Sequence, residues 1–297
     1  RVLFRSKLTG HKSPVRYVEF SRDGKKLLTR EKNGEVLIWQ PNSGKLLCRI
    51  NQSRQSDSED GRYVARNAAF SPDGKYVITN GLPRLVRVWN VERPLDPPAI
   101  LGSVKQWTRL GKFSPDGRWI ATAYEPVILW DRPSLRVRHE IFKPADIPDN
   151  YPRGHLKGSY YFAFSPDGKV LARSIAGVLD ILDVKTGKRI ARWPTQYKQR
   201  FTEIFGLAWS PDSKHIAVTQ VGIDKKGPLI IEARTMRVIT HLTIPDEQQI
   251  AVLQFSPDGR QIAGGRITRD IFQYNPVSSQ PADDLVWDVK TGMRSEE

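Results

Sequence analysis

The sequence predicts an all-β fold that is built from six repeated units. A five-residue phrase, most often an aromatic residue followed by Ser-Pro-Asp-Gly, occurs at residues 20–24, 70–74, 113–117, 164–168, 209–213 and 255–259. Proline presets the first corner of a turn, aspartate bonds to the local backbone, and glycine accepts a positive φ. Each copy therefore predicts a tight turn, and the even spacing of the copies along 297 residues indicates a repeat architecture.

Short apolar runs around each turn predict four strands in every unit. Residues 15–20 precede the first turn and residues 26–29 follow it, so the turn joins the two strands of a hairpin. A third run at 36–39 and a fourth at 45–50 complete the first unit, and the four strands are called a, b, c and d below. The equivalent third runs lie at 86–89, 127–130, 179–182, 229–232 and 285–287.

Two short motifs link these units to a known family. Gly10-His11 precedes the first unit, and Trp-Asp pairs end two of the third runs, at residues 130–131 and 287–288. In these motifs and in its repeats, nearly the whole chain resembles the WD40-repeat family. The resemblance implies a six-bladed β-propeller that occupies residues 1–297 as a single domain. The turn phrase also occurs in periplasmic TolB-like propellers, but the Trp-Asp pairs favour the WD40 type.

The family's usual hydrogen-bonded set of histidine, serine, tryptophan and a turn aspartate is approached only in the first unit. The resemblance assigns His11, Ser21 and Trp39 to this set, with Asn33 at the turn position. Two other units lack the tryptophan at the end of the third run. Units without the set are expected to depend mainly on apolar packing and to be less regular.

The first residues of the chain predict how the ring closes. The last unit, which begins at residue 250, lacks a fourth strand, whereas residues 1–8 form an unassigned strand before the first unit. Pairing of residues 1–8 with residues 285–289 would complete the sixth blade and cover an exposed strand edge. A truncated ring of seven or eight blades is the alternative.

Composition limits the class of protein and its surroundings. The formal net charge of +15 favours acidic partners such as nucleic acid, anionic membrane or acidic protein segments. Solubility alone is the alternative, because lysine and arginine are spread along the chain. Cys48 is the only cysteine, so no internal disulfide is expected, and no apolar run is long enough for a membrane span. We therefore expect a cytoplasmic protein. The missing initiator methionine predicts that the chain is excised from a longer polypeptide or processed. We expect it to work as part of a larger polypeptide or complex.

Irregular length is concentrated in the connections at one end of the predicted blades. The turns between strands a and b are short, and so are most turns between c and d. Long segments occur from b to c and from d to the next a, at residues 51–63, 143–159, 194–202, 221–228 and 267–284. Long loops on a rigid scaffold often carry binding residues, so we predict that a partner binds on this loop-rich face. Insertions that are merely tolerated are the alternative.

One position in each unit marks the start of strand a on the loop-rich face. It lies four residues before the turn aromatic and is occupied by Arg16, Arg66, Arg109, Tyr160, Phe205 and Ala251. Arginine presents a planar set of donors that fits a carboxylate or phosphate, and aromatic rings dominate many interfaces. The sequence thus predicts a site for an anion or acidic peptide, with the candidate residues Arg16, Arg66, Trp107, Arg109, Tyr160, Tyr161, Glu203 and Phe205. Pairing of each arginine with a loop acid is the alternative, the candidates being Asp57, Glu59 and Asp60.

The opposite face has a basic pattern of its own. One cation follows each turn phrase, at Lys25, Lys75, Arg118, Lys169, Lys214 and Arg260. Each lies close to the turn aspartate in sequence, so we expect solvated side chains with weak local pairing there.

The sequence carries no recognisable catalytic or metal-binding motif. Its five histidines lack a second histidine at metal-ligand spacing, and one cysteine gives no zinc pattern. We therefore expect no enzyme activity, no catalytic or metal site and no cofactor. The predicted function is that of a protein-interaction scaffold whose partner is a protein or an acidic peptide. The alternatives are a nucleic-acid or phosphate-binding module of a larger protein, and a propeller that has its own activity or gates an attached hydrolase.

Overall fold

The computed structural model describes eleven stretches of the chain, and the structural statements below concern these residues. They are residues 7–50, 65–81, 85–101, 110–123, 127–140, 161–175, 178–193, 203–221, 227–244, 249–267 and 285–295. These stretches contain β-strands and no helix, which confirms the predicted all-β class. The chain divides into two compact units, Arg1–Pro144 and Ala145–Glu297, and each is described by itself. A single domain over residues 1–297 stays a prediction.

The first unit contains three antiparallel sheets of four strands, and each sheet runs in the order a, b, c, d. Sheet one comprises β1 (Val15–Phe20), β2 (Leu27–Glu31), β3 (Val36–Gln40) and β4 (Lys45–Ile50). Sheet two comprises β5 (Ala65–Phe70), β6 (Tyr76–Gly81), β7 (Leu85–Asn90) and β8 (Ala99–Leu101). Sheet three comprises β9 (Leu110–Phe113), β10 (Trp119–Ala123), β11 (Val127–Asp131) and β12 (Arg136–Glu140).

The second unit repeats the same antiparallel meander. Sheet four comprises β13 (Tyr161–Phe164), β14 (Val170–Ile175), β15 (Val178–Asp183) and β16 (Arg189–Trp193). Sheet five comprises β17 (Glu203–Trp209), β18 (His215–Val221), β19 (Leu229–Glu232) and β20 (Val238–His241). Sheet six comprises β21 (Gln249–Phe255), β22 (Gln261–Ile267) and β23 (Leu285–Asp288). Six such sheets are consistent with propeller blades, and their number in one ring stays a prediction.

Each five-residue phrase closes the turn between strands a and b. In sheet one, Ser21 Oγ donates to Asp23 Oδ1 over 2.7 Å, and the Lys25 amide donates to the same oxygen over 3.1 Å. These two hydrogen bonds hold the pKa of the Asp23 carboxyl below its usual range. The last residue of the phrase takes a positive φ, which is 69° at Gly24 and 61° at Ser213. Because serine carries a Cβ, this backbone conformation costs about 1–2 kcal/mol in the turn of sheet five.

Within each unit, the a–b turns of neighbouring sheets touch. Lys26 Nζ of sheet one donates to the Gly74 carbonyl of sheet two over 2.9 Å. In the second unit, the Asp167 amide of sheet four donates to Ser213 Oγ of sheet five over 3.1 Å. These contacts define the turn end of each unit, and the b–c loops leave from the other end of the sheets.

The middle strands of each sheet form the core. In sheet one, the side chains of Val36, Leu37, Ile38 and Trp39 in β3 are all buried, which is typical of a strand covered on both faces. Trp287 of β23 is equally enclosed in sheet six. Burial of each large apolar side chain stabilises the fold by about 1.5–3 kcal/mol. Strands β1 and β4 are more exposed, so they are free to present side chains to a partner.

A chain of hydrogen-bonded side chains ties sheet one to the segment that precedes it. Trp39 Nε1 donates to Thr29 Oγ1 over 2.8 Å, and the same oxygen lies 2.8 Å from His11 Nε2. Tryptophan is only a donor, so Thr29 Oγ1 accepts the bond from Trp39, and the tautomer of His11 determines which group donates in the second bond. The predicted set is therefore wrong in one member, because Thr29 and not Ser21 lies between His11 and Trp39.

The tryptophan–threonine bond recurs in the other sheets of the first unit. Trp89 Nε1 donates to Thr79 Oγ1 over 2.8 Å, and Trp130 Nε1 donates to Thr122 Oγ1 over 3.0 Å. All three threonines lie nine residues after the turn aromatic of their sheet. This part of the bonded set is thus a property of the whole first unit.

Sheet four replaces this bond with a buried group of charges. Arg173 occupies the threonine position, and its Nη2 donates to Asp180 Oδ2 over 2.8 Å. Arg192 Nε of the next strand donates to Asp180 Oδ1 over 2.7 Å. The side chains of Arg173 and Asp180 are 3% and 0% exposed. Although burial raises it, the two arginines hold the pKa of Asp180 below its usual range. Sheet four also buries the apolar side chains of Leu171, Leu179 and Ile181, so the charged group adds to apolar packing. The expectation that this sheet depends mainly on apolar packing stays a prediction.

The last described residues cover the outer edge of β23. The Asp288 amide donates to the Met293 carbonyl over 3.0 Å, and the Ser295 amide donates to the Val286 carbonyl over 2.8 Å. Residues 293–295 thus stand in place of a fourth strand of sheet six. The structure differs here from the predicted pairing of residues 1–8 with 285–289, because the backbone groups of this edge are already bonded. Residues 1–6 lie outside the described residues.

Candidate partner-binding site

The structure describes part of the predicted site. Arg16 is the second residue of β1 and is exposed, and Tyr161 opens β13 with a side chain that is 37% exposed. Three candidates lie in strands but have side chains outside the described part, namely Arg66 in β5 and Glu203 and Phe205 in β17. The other three lie outside the described residues altogether, namely Trp107, Arg109 and Tyr160. Arg16 belongs to the first unit and Tyr161 to the second, so each is considered within its own unit.

A shared backbone irregularity marks the predicted position. The pairing of β1 with β2 passes directly from Val15 to Tyr17 and leaves Arg16 unpaired. The same irregularity occurs in strand a of three other sheets, at Arg66, Phe205 and Ala251. A bulge of this kind bends the strand and changes the direction of a side chain, and bulges are frequent beside functional sites. In four sheets, the position four residues before the turn aromatic is therefore a bulge and not part of the regular strand pairing.

Arg16 makes no ion pair with any other described residue. The acids that were considered as its alternative partners lie in the connection at residues 51–64, which is outside the described residues. Most of the other long connections of the predicted loop-rich face are outside as well. Both the loop-rich face and the local pairing of its arginines therefore stay predictions.

A cavity of about 570 Å³ opens in the first unit, along the strands that carry Arg16 and Arg66. Its polar lining consists of Tyr17, Glu19, Arg30, Asn67 and Lys112. Glu19 and Lys112 occupy the same position of β1 and β9, directly before the turn aromatic. Both charge signs therefore line the cavity, which suits a ligand that carries both donors and acceptors, as a peptide does.

Burial changes the protonation of the groups in this cavity. It raises the pKa of Glu19 to about 7, although hydrogen bonds from the Phe70 amide and the Tyr17 hydroxyl and the charge of Lys112 act in the opposite direction. Burial also raises the pKa of Tyr17 to about 12, with a further contribution from Glu19. The Lys112 side chain is open to solvent on one side, yet the surrounding protein lowers its pKa. Glu19 is therefore the group whose charge changes near neutral pH.

The pattern of β1 contains the signal that would have identified these residues. Residues of a strand alternate between its two faces, so Tyr17 and Glu19 share one face and Val18 and Phe20 share the other. The recurring arginines lie at the start of strand a, and the predicted site therefore did not include Tyr17 and Glu19. Arg30 is a different case, because only the pairing of β1 with β2 places it opposite Tyr17.

Substituting Glu19 with glutamine is expected to remove a pH dependence of stability. Since the folded pKa of about 7 lies above the ordinary value of 4.5, folding favours the protonated carboxyl. The resulting stabilisation is complete below about pH 4.5 and is lost as the pH rises through 7. We compare the free energy of unfolding of E19Q with that of the wild type at each pH. Because Glu19 is partly exposed, we expect this difference to shift in favour of E19Q by about 1–2 kcal/mol between pH 5 and pH 8. Urea unfolding at both pH values measures this, with E92Q at an exposed position as the control, and equal pH dependence of E19Q and the wild type would contradict it.

The described residues offer no metal centre. They contain no group of three or more histidine, cysteine, aspartate or glutamate side chains that could hold a metal ion. Cys48 is buried, and this burial raises the pKa of its thiol to about 11. No helix in the described part of the chain is long and apolar enough to span a membrane.

The described residues thus form repeated antiparallel sheets, and the first unit carries an open cavity that is lined in part by its first strands. The family model described as "WD domain, G-beta repeat" matches residues 3–40 and 58–90. These two segments are WD40 repeats, which confirms the resemblance seen in the sequence motifs. They contain strands a to c of sheets one and two.

Several curated proteins share this similarity over part of their length. The WD repeat and SOCS box-containing protein 1 of Xenopus tropicalis is 28% identical over 116 residues, which are 38% of this chain and 26% of that protein. Pre-mRNA-processing factor 19 homolog 2 of Arabidopsis thaliana is 30% identical over 164 residues, 55% of this chain and 29% of that protein. Apoptotic protease-activating factor 1 of Rattus norvegicus is 37% identical over 86 residues, 28% of this chain and 7% of that protein.

These similarities concern the repeats and not the whole relatives. The chain spans about a quarter of the length of the WD repeat and SOCS box-containing proteins that it matches. WD-repeat proteins generally act as non-enzymatic scaffolds that bind other proteins and work in complexes. The repeat therefore defines a class of binding protein, and the partner has to be inferred from the side chains.

Proposed function

We propose that the protein is a non-catalytic interaction scaffold that binds an acidic segment of a partner protein on its loop-rich face. One observation carries this proposal. Arg16 and Arg66 stand at the same bulged position of neighbouring strands, and Arg16 is exposed without an ion-pair partner among the described residues. A guanidinium binds a carboxylate through two parallel hydrogen bonds, so a row of such residues favours aspartate and glutamate.

The cavity beside Arg16 supports a peptide rather than a bare anion as the ligand. Glu19 can accept hydrogen bonds from backbone amides of a bound chain, while Lys112 and Arg30 attract its acidic side chains. Arg109, Trp107, Tyr160, Tyr161, Glu203 and Phe205 complete the proposed site. The net charge of +15 would speed the approach of an acidic partner.

The setting of this scaffold is part of the same proposal. We infer that the six repeats are the blades of one propeller, as the sixfold turn phrase predicts, and that the chain works as a module of a larger polypeptide or complex. A cytoplasmic location fits the single, buried cysteine.

Binding of nucleic acid or phosphate is the second candidate function. The high positive charge and the arginines interleaved with aromatic residues favour it. The acidic Glu19 in the cavity does not separate the two candidates, because a carboxylate repels a phosphodiester backbone and an acidic side chain alike.

Titration of the protein with two fluorescent probes separates these functions. One probe is a peptide of glutamate and serine without aromatic residues, and the other is a single-stranded DNA oligonucleotide. We expect the peptide to bind more tightly than the DNA at physiological salt. Tighter DNA binding whose affinity falls steeply with salt would favour the second candidate and contradict the first.

A further inference from the structure

A groove of about 780 Å³ lies between sheets four and five at the turn end of the second unit. Its volume lies within the range of about 300–1,000 Å³ that is typical of ligand pockets. Apolar side chains of Ile181, Ala191 and Trp209 form its floor. Ile190, also in the lining, is 59% exposed, which leaves a large apolar surface open to solvent. The groove lies at the turn end of sheets four and five, whereas the predicted site residues Tyr161, Glu203 and Phe205 lie in the first part of strand a of these sheets.

The corresponding place in the first unit is filled by two side chains of the protein itself. Between sheets two and three, the guanidinium of Arg132 stacks on the Tyr76 ring at 5.0 Å from its centre. Arg132 Nη1 also lies 3.4 Å from Asp73 Oδ2. An aromatic ring and a cation thus close the gap between these neighbouring sheets.

Hydrogen bonds establish which residues of the second unit are equivalent. The Arg132 amide donates to the residue after the turn phrase, Arg118, and the Ala233 amide donates in the same way to Lys214. Tyr76 and Val170 are likewise equivalent, because the carbonyl of each accepts from the amide of the serine in its turn phrase and the amide of each donates to that serine's Oγ. The tyrosine and arginine of the first unit are therefore replaced by Val170 and Ala233.

This double replacement distinguishes one junction between sheets from the others within the two units. Sheets one and two have Lys26 at the tyrosine position, and its Nζ bonds to the neighbouring turn. Sheets five and six have His215 there. Only sheets four and five combine two small apolar residues, so the groove is a consequence of the sequence at these positions.

The charges around the groove favour an acidic occupant. Asp167 accepts hydrogen bonds from Ser165 Oγ and the Lys169 amide, and Glu232 accepts one from Thr235 Oγ1. Both rim carboxylates are thus engaged within their own turns.

The rim cations are available to a ligand. Lys214 and Arg234 are exposed; the charge of Lys214 acts on Asp212 in its own turn, and neither cation forms a close ion pair with another described residue. A partner would therefore meet an apolar floor between two exposed positive charges.

We propose that this groove docks an acidic segment of a partner protein that inserts one aromatic side chain between Val170 and Ala233. The fold places an aromatic ring at the equivalent position of the first unit, so the space between two such sheets accepts one. Carboxylates on either side of the inserted ring pair with Lys214 and Arg234. The site is separate from the arginine site and does not depend on it.

The test fills the groove with the side chains that occupy the equivalent place in the first unit. The variant V170Y/A233R recreates the stacked pair, and Asp167 stands where Asp73 supports the arginine. The probe is a fluorescent peptide with one tryptophan between runs of glutamate, titrated into the full chain. A second variant, K214E/R234E, removes the rim cations, and K25E/K75E is its matched control at exposed turn positions of the first unit. An unchanged melting temperature of V170Y/A233R shows that the variant is folded.

We expect both groove variants to weaken binding at least about ten-fold, while K25E/K75E stays within about two-fold of the wild type. The same losses are expected in a R16E/R66E/R109E background, so failure of the arginine site and failure of the groove are distinguishable. A peptide with alanine for tryptophan should bind at least about ten-fold more weakly. Equal binding of the two peptides, or unchanged binding by folded V170Y/A233R, would overturn the proposal, as would tighter binding of single-stranded DNA than of the peptide.

Discussion

Replacing Asp180 with asparagine is expected to lower the free energy of unfolding of the second unit by about 3–5 kcal/mol. Asp180 is fully buried and accepts hydrogen bonds from Arg173 and Arg192. Loss of the Asp180 charge weakens the pairing of the buried Arg173 guanidinium, and this weaker pairing accounts for most of the cost. Urea unfolding followed by tryptophan fluorescence measures the effect.

The same substitution at Asp183 is the matched control for Asp180. Asp183 lies on the same strand but is partly exposed, and among the described residues it accepts bonds from Lys185 and Thr186 of its own turn. We expect D183N to cost about 0.5–1.5 kcal/mol. The double variant R173T/D180L copies the Thr29 and Leu37 pair of sheet one and should recover most of the stability lost in D180N. Equal stabilities of D180N and D183N would contradict the role given to the buried charges.

Replacing Thr29 with valine is expected to destabilise the first unit by about 1–3 kcal/mol. Valine has the shape of threonine but leaves the buried Trp39 Nε1 without an acceptor and His11 without its partner. The cost is that of an unsatisfied buried donor rather than of a cavity. Thermal or urea unfolding of the variant measures it.

Two further variants separate this hydrogen bond from simple packing. T29S keeps the hydroxyl and is expected to be more stable than T29V, although it loses a methyl group. T79V breaks one bond, to Trp89, and should cost less than T29V because no histidine joins the bond in sheet two. If T29S and T29V were equally stable, the hydroxyl would not be the group that matters.

The strands could be predicted from the sequence because residues close together in the chain determine them. The turn phrase sets the a–b hairpin through residues that are close in sequence, so its position and its hydrogen bonds follow from the pattern. The bulge at Arg16 and the identity of Thr29 depend instead on the register between strands, which the pattern alone does not specify.

The cavities were less accessible to sequence reasoning for a related reason. Glu19 and Lys112 come together only when β1 and β9 are placed in one unit, and their sequence separation gives no hint of it. The groove beside Val170 became visible by comparing equivalent positions between sheets, where two small residues stand for Tyr76 and Arg132. A small side chain at a surface position does not by itself indicate a groove, so a single sequence gives no pattern from which this groove could be predicted.

The central claim is that the arginines at the start of strand a, and not the overall positive charge, bind the acidic partner. Titration of the aromatic-free glutamate and serine peptide into two charge-reversed variants tests it most directly. R16E/R66E/R109E changes the proposed site, whereas K25E/K75E/R118E makes the same change in net charge at the exposed turns of the same three sheets. We predict that the first variant weakens binding by at least about ten-fold and that the second stays within about three-fold of the wild type. Equal losses in both variants, or unchanged binding by the first, would contradict the claim.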